Sequence, residues 1–85
     1  MKVQNAIKKL EKAGFKVNIN VSNSRYCASK ENAPYIIEFR KNGGGSEEAI
    51  CICVRRVNDN HNSMIDYFAG IWCDNILQAI RLATN

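Results

Sequence analysis

The sequence predicts a two-layer α+β domain: an N-terminal helix, an antiparallel meander of three or four strands, and a C-terminal helix. Apolar residues recur at helical spacing near both ends of the chain, whereas the segments between them alternate with a period of two. A length of 85 residues, with 46% hydrophobic and 24% charged residues, suits one globular domain over residues 1–85. Because each helix has one apolar stripe to bury, we expect both on the same face of the sheet.

The first helix is expected from about Lys2 to Ala13. Lysines lie off its apolar stripe, which consists of Val3, Ala6, Ile7, Leu10 and Ala13. Gly14 follows, and glycine adopts the left-handed conformation of a helix ending without steric cost. Phe15 then occupies the position that contacts Leu10 in a Schellman ending.

Four segments of alternating polarity predict the strands: Phe15 to Val21, Arg25 to Lys30, Tyr35 to Lys41 and Ala49 to Val57. Polar or glycine-rich turns separate them. Val57 is out of phase with Val54, which indicates a β-bulge near Arg55–Arg56.

The segment from Asp66 to Ala83 contains three aromatic residues and the second helix. Asp74 is the expected N-cap, and the apolar stripe is predicted to be Cys73, Ile76, Leu77, Ile80 and Ala83. Phe68 and Trp72 are expected to close the core between sheet and helix, whereas Tyr67 is the aromatic residue that can face outward.

The cysteines do not predict a metal site or a disulfide. Cys51 and Cys53 on one strand would lie about 7 Å apart, which is too far for an unstrained disulfide. A structural zinc site usually uses a C-x-x-C turn with two further ligands, and only Cys27 on a neighbouring strand can approach this pair. Small, half-buried strand residues are the favoured interpretation, and no metal or cofactor is expected.

The sequence carries no readable catalytic pattern. His61, the single histidine, lies in a polar loop without a nucleophile at motif spacing. The run Asn42–Ser46 is glycine-rich but precedes a strand with two glutamates, so it indicates a hairpin and not a phosphate cradle. We therefore expect a protein that is not an enzyme. No apolar stretch approaches the roughly 18–20 residues that cross a bilayer, and without a signal peptide the expected location is cytoplasmic.

The surface is predicted to be basic, with a formal net charge of +4. The sheet face opposite the helices is expected to carry Lys16, Arg25, Cys27, Glu38, Arg40, Cys51, Cys53 and Arg55. Since the strand aromatics alternate onto the core face, phosphate contact is favoured over base stacking. The candidate contact residues are Arg25, Arg40, Arg55 and Arg56, then Lys8, Lys9 and Lys12 on the first helix, and the aromatics Tyr67 and Trp72.

The order helix–three strands–helix resembles the double-stranded-RNA-binding domain in topology. In that family the second helix begins with a lysine-rich phosphate clamp, whereas here that helix has only Arg81. The histidine-containing loop between the first two strands is also missing. The resemblance therefore concerns element order alone.

A second resemblance covers Tyr35 to Ala83. Its pattern consists of Val54-Arg55-Arg56-Val57, Asp66-Tyr67-Phe68, Gly70, Asn75, Gln78-Ala79 and Arg81. It is similar to the large polyvalent-protein-associated domains, which are small domains of phages and mobile elements. The resemblance implies such an origin, and by analogy with small phage proteins of this size it implies an inhibitor of host defence, such as an anti-CRISPR protein.

Two functions follow as expectations. The first is a non-enzymatic accessory protein that binds a host-defence nucleoprotein or a nucleic acid through its basic surface. In that case, reversing the charge of Arg55 and Arg56 is expected to weaken binding without unfolding the chain. The alternative is a structural module that forms a homodimer through its sheet face and binds no nucleic acid.

Overall fold

The computed structural model describes residues 1–20, 25–56 and 70–84, which form an α+β fold. The elements are, in order, helix α1 (Val3–Lys12), strands β1 (Lys16–Asn20), β2 (Arg25–Ser29), β3 (Tyr35–Lys41), β4 (Ala49–Arg56) and β5 (Ile71–Trp72), and helix α2 (Ile76–Thr84). Within these ranges the strands form one five-stranded antiparallel sheet in chain order. The predicted fold class is confirmed, and β5 is a strand that the sequence did not indicate.

The end of α1 is the predicted Schellman ending. The Phe15 N–H donates to the Leu10 carbonyl at 2.9 Å, and the Gly14 N–H donates to the Glu11 carbonyl at 3.0 Å. Gly14 has a φ of 95°, a conformation that glycine adopts without steric cost. This turn leads the chain directly from α1 into β1.

One buried cluster joins both helices to alternate positions of the strands. Its members are Val3, Ala6, Leu10, Phe15, Ala28, Ile37, Phe39, Ile52, Val54, Ile76, Ala79 and Ala83. We call the sheet face that carries these strand residues the inner face, and the opposite one the outer face. On the inner face, Tyr26 lies opposite Phe39 and their rings stack with centroids 5.1 Å apart. The arrangement is that of a two-layer domain, in which the small core depends on each apolar stripe.

A β-bulge interrupts β4 near its start. Glu38 pairs with Cys53, but Arg40, two residues further along β3, pairs with Ile50, three residues back along β4. The extra residue lies at Cys51, whose φ is 55°. Ile50 consequently lies on the outer face beside Arg40, although simple alternation with Ile52 and Val54 would place it on the inner face.

The bulge predicted near Arg55–Arg56 is wrong. Ile36 pairs with Arg55 and Tyr35 with Arg56 in regular register, so the ladder there is undisturbed. The bulge at Cys51 does not change the phase of Val57 relative to Val54, because both residues follow it in the chain, and Val57 lies outside the described residues.

Helix α2 begins one residue later than predicted. Asn75 is its N-cap, since the Gln78 N–H donates to Asn75 Oδ1 at 2.8 Å. The Asp74 N–H in turn donates to Gln78 Oε1 at 2.9 Å. Leu77, predicted in the apolar stripe, is exposed, and Ala79 is buried instead.

Candidate functional site

The strand pairing determines which side chains share the outer face, because residues directly opposite one another point to the same side. One row crosses all five strands and contains Asn18, Cys27, Glu38, Cys53 and Trp72. On one side of it lies a row of Lys16, Ser29, Ile36 and Arg55, and on the other a row of Arg25, Arg40 and Ile50. The predicted composition of this face therefore holds for seven of its eight residues, whereas the bulge removes Cys51 from the strand pairing and brings Ile50 onto the face.

The centre of the outer face is buried. Arg55 is 5% exposed and Glu38 8%, and Arg55 Nε lies 2.9 Å from Glu38 Oε1. Arg25 Nη1 is farther away, 3.9 Å from Glu38 Oε2. A buried charge requires such a partner, because desolvation otherwise disfavours it strongly. Arg55 therefore serves the fold, and a contact role for it with an external partner does not fit its burial.

The backbone of Gly70 lies close to the buried side chains of Cys53 and Arg55. A Cβ atom on Gly70 would lie 2.8 Å from Cys53 Sγ and 3.4 Å from Arg55 Cγ. Cys53 is only 2% exposed. The glycine of the resembling pattern thus has a structural reason, since a side chain at this position, where the chain enters β5 beside β4, would collide with Cys53.

Four residues border this centre, and we call them the cross-sheet strip: the half-buried Arg25 and the exposed Arg40, Ile50 and Trp72. Each comes from a different strand, β2 to β5. Ile50 is 36% exposed and Trp72 65% exposed. The predicted core position of Trp72 is wrong, because β5 pairs with β4 and places Trp72 opposite Cys53 on the outer face. Tyr67 and Phe68 lie outside the described residues.

The other predicted contact residues lie elsewhere. Arg56 pairs with Tyr35, an inner-face position, and is exposed at the end of β4. Lys8, Lys9 and Lys12 are exposed on α1 and, with Met1 and Asn5, line a shallow groove of about 370 Å³. The predicted lysines therefore lie on α1 and Arg25, Arg40 and Arg55 on the outer face, whereas Arg56 belongs to neither surface.

Two thiols have raised pKa values. Burial raises the pKa of Cys27, and the Glu38 carboxylate adds to this effect. Burial also raises the pKa of Cys73, with contributions from Cys53 and Asp74. A raised pKa keeps both thiols neutral and poorly nucleophilic at neutral pH. Among the described residues, no group of three or more His, Cys, Asp or Glu side chains is placed to hold a metal ion.

Comparisons with protein-family models, with curated proteins and with solved structures found no match to this chain. In the described ranges, neither helix has the length and apolar character needed to cross a membrane.

Proposed function

We propose that this chain is a non-enzymatic protein that binds nucleic acid, either free or within a host nucleoprotein, through the outer face of its sheet. The observation that carries this proposal is the charge of that face. Its described residues include the cations Lys16, Arg25, Arg40 and Arg55, but a single carboxylate, Glu38. Because Glu38 is buried against Arg55, the charge that this face presents to solvent is positive.

The distribution of charge over the molecule supports the same ligand. All twelve Lys and Arg residues lie in the described ranges, and all except Arg25 and Arg55 are exposed. A surface with this excess of cations attracts polyanions at long range and accelerates their encounter. Phosphate contacts by Lys and Arg supply most sequence-independent affinity for nucleic acid. The resemblance to phage domains adds the expectation that the bound nucleic acid belongs to a host-defence complex.

The test uses two neighbouring residues of β3 that lie on opposite faces. Arg40 is an exposed outer-face residue, whereas Lys41 is exposed and pairs with Ala49 on the other face. Arg40→Glu is expected to weaken binding of labelled oligonucleotides roughly tenfold and to lower the salt dependence of the affinity, because one phosphate contact is lost. Fluorescence anisotropy over a series of salt concentrations measures both quantities.

Lys41→Glu is the matched control, since it changes the net charge by the same amount one residue away. It is expected to have a much smaller effect on affinity. Equal losses in the two variants would show that only the overall charge matters, and the outer face would not be the binding surface. Absence of binding by the unaltered chain at low salt would refute the proposed function itself.

A further inference from the structure

We propose that the ligand is single-stranded and that one of its bases stacks on the indole ring of Trp72, while the arginines of the cross-sheet strip hold its phosphates. This inference rests on the proposed function and names the form of nucleic acid that the outer face takes. Its starting point is Trp72, which is 65% exposed in the edge strand β5. A tryptophan is highly buried on average, so one this exposed is available to a partner.

The strip has the composition of a single-strand groove. Such grooves combine cations that follow the backbone with aromatic side chains that stack on bases. Arg25 and Arg40 lie opposite one another on β2 and β3, and Ile50 follows on β4. Ile50 thus places apolar surface between the arginines and β5, which carries Trp72. The single carboxylate of the described outer face, Glu38, lies in the same cross-strand row as Trp72 but is buried against Arg55.

The spacing of the strip suits a backbone that crosses the strands. Neighbouring strands are about 4.8 Å apart, so Trp72 on β5 and Arg40 on β3 are separated by roughly 10 Å across the sheet. A phosphate on Arg40 and a base on Trp72 can therefore belong to the same short segment of one strand. The buried centre of the face lies beside this path and leaves the strip exposed.

The aromatic contact selects single strands over duplexes. In a duplex, each base is stacked within the helix and presents only its edges in the grooves. An unpaired base exposes its π-face, and every base has one, so stacking on Trp72 is independent of sequence. The arginines alone would accept the phosphates of either form. Trp72 is consequently the residue that distinguishes the two.

Trp72 is the single tryptophan of the chain, so its fluorescence reports directly on this contact. Titration with short oligothymidine or oligouridine at low salt is expected to quench the emission, whereas a duplex of equal length is expected to leave it nearly unchanged. Trp72→Ala is expected to weaken single-strand binding roughly tenfold to a hundredfold, measured by the anisotropy of the labelled strand, and Trp72→Phe is expected to retain most of the affinity.

Ile71→Ala is the matched control, because Ile71 is the exposed neighbour of Trp72 in β5 and pairs with Val54 on the inner face. It is expected to leave single-strand affinity unchanged. Stacking is refuted if single strands and duplexes bind equally well and neither quenches the Trp72 emission. The proposed function still stands in that case, provided that Arg40→Glu weakens the binding of both forms. If neither form binds at low salt, both fail. Thermal unfolding of each variant verifies that the fold is intact.

Discussion

Arg55 and Glu38 illustrate, at the residue scale, why a basic residue on a predicted open face need not serve binding. Alternation assigns Arg55 to the outer face correctly, but it gives no information on how deeply the face is covered. The structure buries both side chains and brings Arg55 Nε to 2.9 Å from Glu38 Oε1. Removing Arg55 would leave the buried Glu38 carboxylate with a more distant cation, Arg25, whose Nη1 lies 3.9 Å from Glu38 Oε2, in a medium of low dielectric constant.

We therefore predict that Arg55→Met destabilises the fold by about 3–5 kcal/mol, the usual range for breaking a buried ion pair. Urea-induced unfolding followed by circular dichroism measures the loss. Arg56→Met is the control, because Arg56 is the exposed neighbour in the same strand and surface substitutions usually stay within about 0.5 kcal/mol. Equal stability of the two variants would show that the pair with Glu38 contributes nothing to the fold.

At the scale of elements, the sequence predicted the long periodic segments best. Helix α1 and strand β3 match their predicted positions within one residue because each carries a clear apolar pattern and a definite ending. Strand β5 was missed because two residues, Ile71 and Trp72, are too few to show alternation. That omission also misplaced Trp72, since only its pairing with β4 reveals that it lies on the outer face. The sequence thus identified the arginines and Trp72 as candidate contact residues, but it did not place Trp72 on the same sheet face as the arginines.

The junction of α1 and β1 gives a prediction at this scale. Gly14 has a φ of 95°, and a Cβ there would also lie 3.1 Å from Lys30 Cε. Gly14→Ala is expected to destabilise the fold by about 1–2 kcal/mol, because the left-handed conformation disfavours a side chain. The control is Gly43→Ala in the β3–β4 hairpin, where no atom lies within 4 Å of the added Cβ.

Thermal unfolding compares the two glycine variants. Gly43→Ala is expected to stay near the stability of the unaltered chain. The added methyl group reduces the conformational entropy of the unfolded chain and causes no strain in the folded one. If Gly14→Ala were equally well tolerated, the Schellman ending would not be what fixes the path from α1 into β1.

At the scale of the whole molecule, the sheet and its core separate two basic surfaces, the lysines of α1 and the cations of the outer face. The lysines of α1 extend from a helix whose Val3, Ala6 and Leu10 belong to the buried cluster with inner-face strand residues. Arg40 and Lys16 lie on the outer face. The sequence predicts this division, because its periodicity places both helices on the sheet face opposite Lys16 and Arg40. Both surfaces attract a polyanion at long range, but a ligand seated on the outer face touches only one of them.

Salt concentration separates these two effects and gives the last prediction. The double variants Lys8→Glu/Lys12→Glu and Lys16→Glu/Arg40→Glu lower the net charge equally. At low salt both are expected to weaken oligonucleotide binding, since unscreened charges act at a distance. At about 0.15 M ionic strength the Debye length falls to about 8 Å, so the α1 variant should bind nearly as well as the unaltered chain while the outer-face variant stays impaired. Anisotropy titrations at both salt concentrations measure this difference. If only the α1 variant still bound oligonucleotides weakly at the higher salt concentration, the binding surface would instead be the shallow groove on α1 that Lys8 and Lys12 line.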